Sequence, residues 1–327
     1  MRKINIYFVL ECVIIILLLA ILGILLRDHG KSKAEEITAE KIIIEDSGNN
    51  AQEHEETGAV EEESNKTLKE YEETEAVEEA TFKNPMGDQS WNIAGAERGF
   101  LKGKNIVVFS DSIWNAARGS DGISEYIQAY TGATVYNCAV GGSTAALVDG
   151  EDNPENWTSS CFNGMIYIAR GWESADKILS GREACEVIKQ VDLNNMDYVI
   201  ISYGINDFFC NVPIYPNYYY EITNYVGALR NGISKFKEEF PHLKIVLVSP
   251  TYTPMSEGEK DFEIGHYVES ARGVAADMEV PFLDMYHTLG SDAASRTKHL
   301  EDGVHLSAGG RKIYAEAVIR FLSKIEE

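Results

Sequence analysis

Ser112 lies where an apolar segment of the sequence ends. The run from Ile106 to Ser110 is apolar or small and contains two valines, which is typical of a strand buried on both faces. The polar residues Ser110, Asp111 and Ser112 end it and favour a sharp turn into a helix. A hydroxyl at the end of a buried strand faces the crevice at the carboxyl edge of an open α/β sheet, where ligands bind. Ser112 is therefore a candidate nucleophile.

A serine that transfers acyl groups needs a base and a group that orients the base. His305 stands three residues after Asp302, directly before a predicted helix, so the carboxylate can reach the imidazole ring and hold its tautomer. The only other histidine that we find with carboxylates so close in such a loop is His299. The pattern favours Asp302 as the orienting acid and His305 as the base.

Hydrogen-bond donors follow two other predicted strands. Gly141 and Gly142 come after the second strand, and paired glycines let a backbone N–H approach a ligand closely. Asn206 follows the third strand, within the segment 204–207, and its side chain can donate to the same ligand oxygen. Each signal is weak alone, because both segments also suit ordinary turns. Together they place donors on adjacent strand ends beside Ser112.

These stretches resemble the four sequence blocks of the SGNH hydrolase superfamily, also called GDSL esterases and lipases. Ser112 lies in FSDSIWN, Gly142 in NCAVGGST and Asn206 in YGINDF, while the acid and histidine lie in EDGVHLSAGG. Order and spacing agree, and the resemblance covers roughly residues 102–325. The sequence departs from the pattern at Ser110, where the family usually has glycine.

The resemblance implies a mechanism. Ser112 attacks an ester carbonyl, His305 takes the proton, and Asp302 holds the imidazole. The oxyanion hole is formed by the backbone N–H groups of Ser112 and Gly142 and by the side-chain amide of Asn206. We interpret two further acids as structural residues that hold turns, Asp111 and Asp207.

One rival nucleophile exists. Ser143 stands in Gly-Gly-Ser-Thr-Ala, a near miss to the Gly-x-Ser-x-Gly elbow, but this choice would leave the turn at Ser112 unexplained. The sequence contains no metal-ligand spacing and no glycine-rich phosphate loop, so we expect neither a metal nor a cofactor. It leaves open whether disulfides form among Cys138, Cys161, Cys185 and Cys210.

Strand-like and helix-like segments alternate from about residue 84. Strands are predicted at 105–109, 133–137, 197–202, 243–249 and 281–284, and helices at 121–131, 174–191, 217–240, 259–279 and 307–325. This alternation predicts parallel βαβ units, hence a three-layer α/β/α fold with a mostly parallel five-stranded sheet, SGNH or flavodoxin-like. The region 143–172 matches neither period, and we interpret it as a long loop or small insertion.

The amino-terminal part has a different composition. Residues 4–26 are nearly all apolar and would form a helix of about 34 Å, enough to cross a bilayer core of about 30 Å. We predict an uncleaved single-pass transmembrane anchor in residues 1–33 rather than a cleaved signal peptide. A mature chain that begins near residue 28 in an intact-mass measurement would contradict the anchor.

The next segment is strongly acidic. Residues 34–80 hold 17 acidic and three basic side chains, which predicts a disordered linker over 34–83, with a charged single helix as the alternative. The hydrolase domain then spans 84–327. Because the chain carries a net charge of −23, we exclude nucleic acid as a partner and favour an extracytoplasmic domain tethered to the cell membrane.

The prediction extends to the substrate. Trp114, Asn115, Trp172 and Tyr252 are interpreted as substrate-binding residues, and core packing explains the aromatic ones equally well. An exported esterase on a tether would meet esters of cell-envelope or other polysaccharides, so we expect it to release acetyl groups from such sugars. The alternatives are an O-acetyltransferase that works with a membrane acyl carrier, a lipase or thioesterase, and a non-catalytic carbohydrate-binding ectodomain. The complete catalytic set argues against the last.

Overall fold

A parallel sheet of five strands forms the centre of the protein. The computed structural model describes residues 91–148, 159–255 and 261–326. The strands are β1 Asn105–Ser110, β2 Thr134–Asn137, β3 Tyr198–Ser202, β4 Lys244–Val248 and β5 Phe282–Leu283. All five predicted strands are confirmed to within a residue or two at each end. Every residue of β3 is buried, as expected for a strand covered on both faces.

Helices cover both faces of the sheet. They are α1 Ser112–Asn115, α2 Ile123–Thr131, α3 Phe162–Ala169, α4 Ala175–Leu179, α5 Glu183–Ile188, α6 Ile205–Phe209, α7 Tyr225–Glu239, α8 Ile264–Asp277, α9 Met285–Thr288, α10 Ala293–Thr297 and α11 Ala308–Glu326. α2 packs against α11, whereas α7 packs against α3 and α8. Right-handed crossovers put these two groups on opposite faces of the sheet. The predicted three-layer α/β/α architecture is thus confirmed.

The strand order is β2-β1-β3-β4-β5, with every neighbouring pair parallel. The chain leaves β1 toward β2 on one side and returns to β3 on the other. The carboxyl ends of β1 and β3 therefore flank the switch point at which ligands bind in open α/β sheets. Ser112 in α1 lies shortly after β1, and Asn206 in α6 lies shortly after β3.

Three helix predictions need correction. α3 lies inside the region interpreted as a loop, and six of its eight residues are buried, so no apolar stripe revealed it. The helix predicted from residue 217 begins only at Tyr225, because the side chain of Asn224 caps it by accepting a hydrogen bond from Gly227 N at 2.9 Å. The helix predicted over 174–191 is split into α4 and α5 at Gly181, whose φ is +74°.

Within the part of the chain that the structure describes, the four cysteines outside the predicted anchor form no disulfide. Cys138, Cys161 and Cys185 are buried, and Cys210 is exposed. Within the residues described, no helix is both long and apolar enough to span a membrane. The predicted anchor and acidic linker lie outside these residues and stay predictions.

Candidate active site

The turn after β1 presents Ser112 as the first residue of α1. Asp111 caps this helix, and its Oδ1 accepts a hydrogen bond from Ile113 N at 2.9 Å. Asp111 is buried while Ser112 is half-buried, so the acid holds the turn from inside. Because Ser112 begins a helix, its N–H has no intrahelical partner and is available to a ligand.

Position 110 shows how serine replaces the usual glycine. Ser110 pairs with Ser202 in the register of β1 and β3, and its hydroxyl donates to the Ser202 carbonyl oxygen at 2.8 Å. The buried hydroxyl is therefore satisfied within the sheet, and the departure from the family pattern leaves the turn intact.

The loop after β2 and helix α6 together present two donors. Gly142 is exposed with φ at +79°, a conformation that favours glycine. Asn206 Nδ2 donates to the Ser143 carbonyl oxygen at 2.9 Å, which orients the amide and leaves its second N–H available. Asp207 is fully buried and accepts from Ala145 N at 2.9 Å and Ala146 N at 3.0 Å. Asp207 thus joins the glycine loop to α6, the structural role predicted from the sequence.

Asp302 and His305 form a hydrogen-bonded pair in the loop before α11. Asp302 Oδ2 lies 2.7 Å from His305 Nδ1, and Oδ1 accepts from His305 N at 2.7 Å and Val304 N at 2.9 Å. Thr253, which follows β4, donates to the Gly303 carbonyl oxygen at 2.8 Å and anchors the loop at the carboxyl edge of the sheet. The contact with Asp302 holds Nδ1 and leaves Nε2 for a nucleophile.

Helix α11 brings this loop to the same edge as Ser112. The indole N–H of Trp114 donates to the Tyr314 hydroxyl at 3.1 Å, and that hydroxyl lies 3.1 Å from Ser202 Oγ. These contacts join α1, α11 and β3. Within the described ranges, no hydrogen bond links Ser112 Oγ to the His305 ring. Catalytic hydrogen bonds are often long before substrate binds.

Burial and hydrogen bonding shift the acids of the site in opposite directions. Burial raises the pKa of Asp111 to about 7 and that of Asp207 to about 6. The hydrogen bonds that backbone N–H groups donate to these carboxylates act in the opposite direction, but burial outweighs them. Since the unfolded chain loses these protons first, both groups make the folded state less stable as pH rises from about 4 to about 7. For Asp302, the bonds from His305 outweigh partial burial and lower the pKa to about 2. Asp302 is thus an anion at neutral pH.

The rival nucleophile is engaged elsewhere. Ser143 is buried, and its hydroxyl donates to the Ser160 carbonyl oxygen at 2.6 Å. A buried serine whose hydroxyl is engaged in this way has no access to a substrate.

The four residues predicted to bind substrate fall in different places. Trp114 is completely buried against Tyr314 and packs in the core, so that prediction was wrong. Trp172 is exposed, but it stacks on Arg170, whose partner Glu239 ends α7 at the amino edge of the sheet, opposite the site. Tyr252 does lie at the carboxyl edge, against Tyr286. Asn115 lies one helical turn after Ser112 and close to Gly141.

Sequence reasoning missed two arginines near the site. Arg311 is buried in the first turn of α11, donates to the Leu306 carbonyl oxygen and pairs with Asp121 at 2.7 Å, so it links the histidine loop to the loop after α1. Arg118 binds Asn115 and the carbonyl oxygens after β2. Arg118 is marked in the sequence only as a single cation among small residues, and Arg311 has Lys312 beside it, so neither position stands out.

One cluster could in principle hold a cation. Asp176, Cys185 and Glu186 bring three ligand atoms within 4.8 Å of one another. Lys189 already donates to Asp176 at 2.6 Å and to Glu186 at 2.7 Å, so its ammonium group offsets part of the negative charge that a cation would use. The cluster belongs to α4 and α5 and contains no residue of the site above.

A serine at the switch point of an α/β/α sheet, with an acid–histidine pair and amide donors at the same edge, is an arrangement suited to acyl transfer. Residues 108–313 match the GDSL-like Lipase/Acylhydrolase family, and the chain belongs to that family. It is accordingly an enzyme that hydrolyses ester bonds.

Solved structures are similar to this chain at low sequence identity. A protein from Lactobacillus plantarum is 17% identical, over 68% of this chain and 98% of that one, with a TM-score of 0.50. A structure described as a possible lipase from Chitinophaga pinensis is 14% identical, over 68% and 98%, with a TM-score of 0.49. A lipase/acylhydrolase from Enterococcus faecalis is 17% identical, over 68% and 96%, with a TM-score of 0.43. No curated protein sequence matches the chain.

Proposed function

We propose that the protein is a serine esterase that removes acetyl groups from polysaccharides, with Ser112 as nucleophile, His305 as general base and Asp302 as the acid that orients the base. The oxyanion hole consists of the N–H groups of Ser112 and Gly142 and the Asn206 side-chain amide.

In this mechanism Ser112 Oγ attacks the acyl carbon while its proton passes to His305 Nε2. The three N–H groups stabilise the negative charge on the carbonyl oxygen, and one such donor contributes roughly 3 kcal/mol to the transition state. His305 then protonates the departing sugar oxygen. Water attacks the acyl-serine by the same route in reverse and releases acetate.

The observation that carries the proposal is the geometry of the acid–histidine pair. Nδ1 of His305 is held at 2.7 Å by a carboxylate that also accepts two backbone N–H bonds, so the ring is oriented before substrate arrives. The loop is anchored at the carboxyl edge of the sheet, which is also the edge of Ser112 and Asn206. The proposal rests on both features together, the oriented ring and its loop at the sheet edge that carries Ser112.

Two features support the substrate class. Gly141 and Gly142 are exposed beside Ser112, so the alcohol part of an ester can be as large as a sugar chain. The predicted anchor and acidic linker would hold the enzyme close to envelope polysaccharides.

The test uses the full-length protein in detergent, the Ser112→Ala variant, and Ser143→Ala as the matched serine control. Each is assayed on p-nitrophenyl acetate, p-nitrophenyl octanoate and acetylated oligosaccharides, with release of nitrophenol or acetate followed. We expect acetate release to fall at least about 10³-fold in Ser112→Ala and to stay within about twofold in Ser143→Ala.

The other outcomes each contradict part of the proposal. If Ser143→Ala lowered activity and Ser112→Ala did not, Ser112 would not be the nucleophile. Preference for octanoate would indicate a lipase, and no hydrolysis of any ester would favour a transferase that works with a membrane acyl carrier.

A further inference from the structure

Asn115 and Ser112 are neighbours on one turn of α1. Residues three apart on a helix share a face, so both side chains project toward the loop after β2. A Cβ placed on Gly141 would lie 3.7 Å from Asn115 Nδ2 and 4.0 Å from Ser112 Cβ. The amide and the nucleophile therefore flank the same glycine, at the edge of the site.

Arg118 determines which end of the amide faces the site. Its Nε and Nη2 both donate to Asn115 Oδ1, at 3.1 and 2.9 Å. A guanidinium group only donates hydrogen bonds, so the oxygen must face Arg118 and the NH₂ group must face away from it. Arg118 is itself fixed, because it donates to the carbonyl oxygens of Asn137 and Ala139 at 3.0 Å and pairs with Glu183 at 3.0 Å.

The Asn115 NH₂ group is thus oriented but not used. In the part of the chain that the structure describes, Nδ2 donates to no protein acceptor, although the residue is half-buried. The two hydrogen bonds to Oδ1 already fix the amide, so the side chain loses less conformational entropy when a ligand binds to its NH₂ group. A substrate oxygen is the partner that such a group would take.

The chemistry of an acetyl ester indicates which substrate oxygen would accept a hydrogen bond from Asn115. The carbonyl oxygen already has three donors in the oxyanion hole, and the acetyl methyl group has no acceptor. A further amide hydrogen can then serve only the alcohol part of the ester, which in a sugar carries neighbouring hydroxyl and ring oxygens.

We propose that Asn115 Nδ2 donates a hydrogen bond to an oxygen of the sugar next to the scissile acetyl ester, and that Arg118 is the positioning residue that holds this donor in place. The pair then selects saccharide esters over esters of simple alcohols and phenols. This inference rests on the proposed function.

The test compares two substrates in the same variants of the full-length protein. One is p-nitrophenyl acetate, whose alcohol part has no oxygen beside the ester. The other is the acetylated oligosaccharide that the wild-type protein hydrolyses fastest. For Asn115→Ala we expect kcat/KM on the sugar to fall about tenfold, mainly through KM, while p-nitrophenyl acetate changes less than about twofold.

Arg118→Met keeps an unbranched, flexible side chain and removes its donors. We expect a smaller loss of the same selectivity, because the freed amide still samples the productive orientation. Asn194→Ala serves as the asparagine control, since Asn194 is exposed before β3 at the amino edge of the sheet. It should leave both substrates unchanged.

An equal fall on both substrates in Asn115→Ala would overturn the inference and indicate an oxyanion or folding role. No change on either would overturn it too. If the wild-type protein hydrolyses p-nitrophenyl acetate but no acetylated sugar, the proposed function fails and the inference fails with it.

Discussion

Two Asp-x-x-His turns in this protein are built almost identically. Asp302 and His305 lie 2.7 Å apart at Oδ2 and Nδ1, and Asp284 and His287 lie 2.8 Å apart at the same atoms. In each, the other carboxylate oxygen accepts the backbone N–H of the histidine, at 2.7 and 3.0 Å. The second pair escaped the sequence analysis, which named only His299 as a comparable histidine.

The surroundings of the two pairs differ. Asp284 caps the short helix α9 and also binds Arg272, so its charge already has a cationic partner. His287 lines a cavity of about 670 Å³ beside α8, and none of the described residues proposed for catalysis lines it. β5 stands three positions from β1 in the sheet, roughly 14 Å at the spacing of parallel strands.

The loop that carries His305 is instead joined to elements beside the switch point. Its loop is anchored to Thr253 after β4, and α11 packs through Tyr314 on the same turn that carries Ser112. The comparison teaches that an oriented imidazole and a cavity do not make a catalytic site. The site also needs a nucleophile and oxyanion donors at the same sheet edge.

The largest expected difference is between the two histidines. His305→Ala should lower kcat at least about 10³-fold on p-nitrophenyl acetate, because the nucleophile loses its base. His287→Ala, the matched control, should change kcat less than about twofold. Equal damage from both substitutions would place His287 in the mechanism and break the comparison.

The same contrast is expected between Asp302 and Asp284, with a smaller effect on kcat. Asp302→Asn replaces the carboxylate oxygen that faces His305 Nδ1 by an amide nitrogen, which favours the wrong tautomer and should lower kcat about 10²- to 10⁴-fold. Asp284→Asn should leave kcat within about twofold. Steady-state kinetics on both variants provide the measurement. An unchanged kcat in Asp302→Asn would show that Asp302 has no part in the mechanism.

The smallest expected effect is one that the two pairs share. The bonds from His305 hold the folded pKa of Asp302 near 2, below its unfolded value of about 4, so its ionisation stabilises the folded state above pH 4. This advantage disappears as pH falls from about 4 to about 2. Asp284 also has a lowered pKa and should behave with the same sign.

Urea unfolding of the wild-type protein and the Asp302→Asn variant at several pH values measures this effect. We expect a difference of less than about 1 kcal/mol at neutral pH, because the carboxylate is half exposed, with the difference closing toward pH 2. A difference that grows as pH falls would have the opposite sign and refute the assignment.

Local patterns predicted much of this molecule. Strands buried on both faces are apolar runs bounded by turn residues, so all five could be found. Helix α3 could not, because a helix buried on most sides has no amphipathic period. The boundary of α7 depends on a cap at Asn224, and predicted helix ends are less reliable than the helices themselves.

The sequence by itself determined the chemical groups, the order of the blocks, the five strands and the family resemblance, because turn chemistry and hydrophobic period act within a few residues. Only the tertiary structure decided which acid–histidine turn is joined to the elements beside the switch point, that Ser143 is buried, and that Trp114 packs in the core. It also decided which way the amides of Asn206 and Asn115 face, through Ser143 and Arg118. These outcomes depend on packing between segments far apart in the chain, which no short window of sequence contains.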